Sequence, residues 1–113
     1  MNNPIQKTDL RIANEIKNQL GAGTLFMLGA EHLAGGADYL TFKIRGSKTV
    51  THVRIELTPM DVYRVTFLKI RGVNVKPVST HENVYCEDLH DLIERVTGLC
   101  VRMPRIISSN EVQ

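Results

Sequence analysis

At 113 residues, 42% of them hydrophobic and 23% charged, the chain has the size of one folded domain, 1–113, able to bury a core without disulfides or a structural metal. Its formal net charge of +2 is too mild to demand a polyanionic partner by itself. Cys86 and Cys100 lack Cys-x-x-Cys spacing, no apolar run is long enough to cross a bilayer, and no basic-then-apolar leader opens the chain. These features predict a cytoplasmic protein with reduced thiols, no membrane contact and no cofactor.

In chain order, residues 1–7 are expected to be a flexible tail. Thr8 or Asp9 then caps a helix whose apolar residues Leu10, Ala13, Ile16 and Leu20 recur at helical spacing and which Gly21 ends. The short apolar piece 24–28 is read as a buried strand, with a second helical turn as the alternative. After Gly35 and Gly36, residues 39–45 alternate: Leu40, Phe42 and Ile44 point one way, and Tyr39, Thr41, Lys43 and Arg45 the other. In 51–57 the same rule sets Val53, Ile55 and Leu57 against His52, Arg54 and Glu56. The turn-like connector 46–49 makes these two strands an antiparallel hairpin.

A third strand over 62–71 buries Tyr63, Val65 and Phe67. Its phase then fails, because Leu68 and Ile70 face outward beside Arg64 and Thr66 unless a bulge intervenes near Leu68. Residues 73–78 form a fourth strand, confined to an edge by Pro77. A polar link, 79–83, leads to a helix on which Leu89, Leu92, Ile93 and Val96 form an apolar stripe, stopped by Gly98. Residues 99–103 are expected to return as a short strand before Pro104, and 108–113 to form a second flexible tail. The predicted fold is α+β: an antiparallel sheet of about four strands with an N-terminal and a C-terminal helix on one face.

Charge is distributed unevenly over these elements. Residues 39–76 hold eight of the 14 Lys and Arg but only two acids, Glu56 and Asp61, while 82–94 hold five acids and neither Lys nor Arg. Lys43, Arg45, Arg54 and Arg64 are expected to share the outward sheet face, with Tyr39 and His52 as flat rings among them. That mixture of phosphate contacts and stacking surfaces suits single- or double-stranded nucleic acid. A solvated sheet face explains the same residues, as does docking on an acidic protein. Leu68 and Ile70, if outward, are expected to anchor either a homodimer or a captured host protein.

Catalytic chemistry has little support. His90, Asp91 and Glu94 lie close together on the acidic helix, but a metal needs three or more convergent ligands, and a solvated helix face suffices. Glu87 and Asp88 oppose thiolate formation at Cys86. The glycines at 21, 23, 29, 35 and 36 match neither a dinucleotide fingerprint nor a Walker loop. The chain is expected not to be an enzyme and to bind no metal.

An ordered set of residues carries a resemblance: Gln19-Leu20-Gly21; Phe26 and Met27 before Gly29-Ala30; Leu40-Thr41-Phe42-Lys43; Val53-Arg54-Ile55-Glu56-Leu57; Asp61 with Tyr63 and Phe67; Ile70-Arg71-Gly72; and Val84-Tyr85 ahead of Thr97-Gly98-Leu99. Over about residues 19–99 the chain resembles a group of small uncharacterised proteins carried by bacteriophages and mobile elements. It departs from their pattern in lacking a Thr before Gly29 and in having Cys at position 100. The resemblance transfers no activity; it implies a bacterial host cytoplasm and an accessory role in DNA handling or in countering host defence, including inhibition of a host protein by direct binding.

Overall fold

In the computed structural model, which describes residues 9–100, five antiparallel strands follow one another as a meander in the order β1-β2-β3-β4-β5. They are β1 (Glu31–Gly35), β2 (Tyr39–Lys43), β3 (His52–Leu57), β4 (Tyr63–Arg71) and β5 (Asn74–Val84). Two helices, α1 (Arg11–Leu20) and α2 (Ala22–Leu28), precede the sheet; α3 (Leu89–Thr97) follows it after a 3-10 turn at Cys86–Asp88. The α+β class is as expected, with five strands where about four were predicted and a third helix besides the two anticipated. The tails at 1–7 and 108–113, Thr8 and residues 101–103 of the expected final strand lie outside the described residues.

The period-two reading of the central strands holds. Leu40 pairs with Ile55, Phe42 with Val53, Ile55 with Val65 and Val53 with Phe67, so these side chains form continuous rows across β2, β3 and β4. All are buried, and one cluster joins them to Ala13, Ile16 and Leu20 of α1, Leu25 and Leu28 of α2, and Leu89, Leu92 and Ile93 of α3. Because cross-strand neighbours share a face, each row seals the next against water.

Local chemistry explains where the structure departs from expectation. Residues 24–28 belong to helix α2, not a strand: Thr24, Leu25 and Leu28 are buried at helical spacing and Phe26 is exposed. A five-residue apolar run is too short for its period to decide between the two. In α1 the residue before the first helical position is Leu10, which offers no side-chain cap. Asp9 compensates from one position earlier, accepting from the Arg11 backbone N–H at 3.0 Å and pairing with its guanidinium at 2.7 Å. The Arg11 side chain beside it lowers the Asp9 pKa to about 2.

Strand β1 was not anticipated. Its sequence, Glu-His-Leu-Ala-Gly, has no β-branched residue, and a register slip between Glu31 and Ala34 accompanies His32 at φ 57°. The expected 79–83 link is instead the second half of β5. Two slips let this strand follow β4: Phe67 faces Ser79 while Leu68 faces Pro77, and Tyr63 faces Val84 while Val65 faces His81. Each inserts one extra residue on the β5 side. The bulge expected in β4 near Leu68 is therefore in its neighbour, and β4 keeps an unbroken register with β3 from Tyr63 to Leu68. Leu99 and Cys100 carry no strand.

Candidate nucleic-acid interface

On the sheet face opposite the core, register assembles most of the predicted residues. Lys43 lies opposite His52, which lies opposite Leu68; Thr41, Arg54 and Thr66 form the next row; Tyr39, Glu56 and Arg64 form the third. Arg45, just past the end of β2, forms an ion pair with Glu31. Leu68 and Ile70 are half-buried, and the alternation of β4 turns both away from the core.

Electrostatics on this face is more balanced than the run of basic residues suggests. Arg54 Nη2 donates to Glu56 Oε2 at 3.2 Å, and Arg64 Nη1 to Glu56 Oε1 at 3.4 Å. Arg64 Nε also reaches both oxygens of Glu82, at 2.9 and 3.0 Å. Two carboxylates thus hold two guanidinium groups in a chain running from β3 to β5. Lys43 has no ion pair within 4.0 Å among the described residues; the Glu31 pKa is lowered first by the hydrogen bond from Arg45, with the Lys43 charge a lesser contribution.

The two rings differ from free stacking platforms. The Arg54 guanidinium lies 3.9 Å above the centre of the Tyr39 ring, a cation–π contact, and Gly36 packs so close to the same ring that an added Cβ would sit 2.1 Å from Tyr39 Cε2. His52 is half-buried, with Nδ1 2.8 Å from Thr51 Oγ1. Burial lowers its pKa, reinforced by the charges of Lys43 and His32.

No protein-family model, curated protein or solved structure matches the chain. The geometry of its own side chains therefore carries the functional argument.

The feature that sequence reasoning passed over as a site is the end of the β4–β5 hairpin. Beyond Leu68, β4 no longer pairs with β3, yet it pairs with β5 through Lys69–Lys76, Ile70–Val75 and Arg71–Asn74. The root is anchored by the Thr51 N–H donating to the Leu68 carbonyl at 2.8 Å and by the Ile70 N–H donating to Thr51 Oγ1 at 2.7 Å. From there a two-stranded ribbon projects, turning at Gly72 and Val73. Alternation gives it two unlike sides: Lys69, Lys76, Arg71 and Asn74 on one, and Leu68, Pro77, Ile70 and Val75 on the other. In the sequence the same feature is visible as basic residues alternating with Ile and Val, a pattern that also fits a shift of strand phase.

Elsewhere, His90 donates its Nε2–H to the Leu20 carbonyl at 2.9 Å, tying α3 to the end of α1. Among the described residues no group of three or more His, Cys, Asp or Glu is placed to hold a metal ion. The Cys86 thiol is pushed up, first by its hydrogen bond to Glu87 and then by desolvation, which opposes the nucleophilic thiolate. No helix among the described residues is long and apolar enough to cross a membrane.

Proposed function

We propose that the chain is a non-enzymatic accessory protein that binds nucleic acid through its basic strands, with the helices packed over the apolar sheet face and the basic strands left open. The observation that carries this reading is the end of the β4–β5 hairpin, where Lys69, Arg71 and Lys76 share one side with no acid among them. A surface with that imbalance attracts phosphates and gains from counterion release. Arg71 and Lys76 have no ion pair among the described residues, so neither gives up an internal partner on binding. The resemblance to small phage and mobile-element proteins supports a setting in the cytoplasm of a bacterial host.

The test is gel retardation of single- and double-stranded oligonucleotides across a salt series. Binding at low salt that weakens linearly with the logarithm of salt supports the reading. Failure to retard any oligonucleotide at low salt removes it and leaves capture of an acidic host protein as the leading function.

A second reading has its own observation. Leu68, Ile70, Val75 and Pro77 line one side of the hairpin, and Val75 is 60% exposed. An apolar strip of this kind suits a symmetric homodimer. Sedimentation equilibrium decides it: a dimer that becomes a folded monomer on replacing Leu68 with Ser and Ile70 with Thr supports this reading, and a wild type that stays monomeric at high concentration excludes it.

A further inference from the structure

Three rungs of the β4–β5 hairpin, Lys69–Lys76, Ile70–Val75 and Arg71–Asn74, extend past the last β3 pair at Leu68. Thr51 holds the ribbon as far as Ile70, so the free arm runs from Ile70 to Gly72, two steps of about 3.3 Å, or about 7 Å. The major groove of B-form DNA is about 12 Å wide and about 8.5 Å deep and admits a two-stranded ribbon. That length carries the tip most of the way into the groove, and an open concavity of about 760 Å³ lies along the hairpin, lined in part by Lys69, Arg71, Asn74 and Lys76.

Charge on the arm is costly unless something answers it. Lys69 and Lys76 are directly opposite each other, and like charges in that relation destabilise a strand pair. Lys69 Nζ donates to the Lys48 carbonyl at 2.9 Å, a neutral acceptor that does not cancel the charge. Arg71, beside them, adds a third cation. A polyanion spanning both strands would relieve this repulsion. At the tip, Gly72 has φ 58°, the left-handed conformation that lets a two-residue turn close the ribbon, and Val73 beyond it is 95% exposed.

We infer that the β4–β5 hairpin is a DNA-binding arm that enters the major groove of duplex DNA, Lys69, Arg71 and Lys76 contacting backbone phosphates and Val73 leading into the groove. This inference rests on the nucleic-acid reading above and narrows it to one ligand class and one element. Duplex RNA is the natural contrast, because its major groove is too narrow and deep for side chains to read. The covered Tyr39 ring argues in the same direction, since stacking on single strands needs open aromatic faces.

The experiment is fluorescence anisotropy with the full chain and labelled duplex DNA, duplex RNA and single-stranded DNA, comparing wild type, an arm variant (Arg71→Glu with Lys76→Glu) and a face variant (Arg54→Gln with Arg64→Gln). Circular dichroism melting confirms that each variant is folded. The expected result is preference for duplex DNA, loss of at least about tenfold in affinity for the arm variant and a smaller loss for the face variant. Neutral replacements in a second arm variant, Arg71→Gln with Lys76→Gln, should lower the salt slope by about two units. Equal or tighter binding to single strands or duplex RNA would overturn the arm inference while leaving nucleic-acid binding intact. An arm variant that binds like wild type while the face variant fails would do the same. A wild type that binds none of the three probes removes the broader reading as well.

Discussion

Phe42 is 1% exposed and sits on β2 opposite Val53, between buried Leu40 and the buried Ile44 just past the strand's end. Phe42→Ala should cost about 3–5 kcal/mol, because neighbours drawn from both sheet and helices cannot all collapse into the space left behind. Denaturant unfolding measures this, and a wild-type-like midpoint would contradict the packing. His52 offers a different kind of test. Its folded pKa is lowered by burial and by the nearby positive charges, so on acidification the unfolded chain takes up its proton first. The resulting stability is present above the ordinary value of about 6.5 and is lost as pH falls through the lowered folded value. Melting temperatures measured from about pH 7.5 down to about pH 5 should fall more for wild type than for His52→Gln. Equal slopes would show that His52 is not desolvated.

At the scale of elements, the hairpin turn is the most sensitive point outside the core. Gly72 has φ 58° and no heavy atom within 4 Å of where a Cβ would stand, so a side chain there meets strain without a clash. Gly72→Val should destabilise by about 1–2 kcal/mol, whereas Gly72→Asn should be nearly neutral because Asn tolerates the left-handed region. Equal effects on melting temperature would contradict the turn geometry. The same hairpin shows how much of the fold was legible in the sequence. β2, β3 and most of β4 announced themselves because each buries one face, and strict alternation records that. α3 was legible through its stripe of Leu89, Leu92, Ile93 and Val96. β1 and the second half of β5 were hidden because they are edge strands: one face-burying pattern is weakened by bulges near His32, Val78 and Asn83, and their residues are mostly exposed. α2 was hidden by its brevity. Of the candidate site, alternation correctly grouped Tyr39, Lys43, His52, Arg54 and Arg64, but period alone could not reveal that Glu56 and Glu82 hold the two arginines.

For the whole molecule, the balance between fixed ion pairs and open cations governs what the surface can do. Glu56 is the carboxylate that holds Arg54, whereas Arg64 is also held by Glu82, so Glu56→Gln should release the Arg54 guanidinium, remove one negative charge from the face and tighten oligonucleotide binding at low salt. Stability should change by less than about 1 kcal/mol, since these pairs are partly exposed to solvent. Unchanged or weaker binding by this variant, measured by anisotropy, would mean that the sheet face takes no part. The most direct test of the central claim, that the open cations of the basic strands hold nucleic acid, is a two-dimensional amide NMR titration of the full chain with duplex DNA. Shifts concentrated at residues 69–76, with smaller ones near Lys43 and His52, are expected; shifts confined to α3, or none at all at low salt, would contradict nucleic-acid binding by these strands.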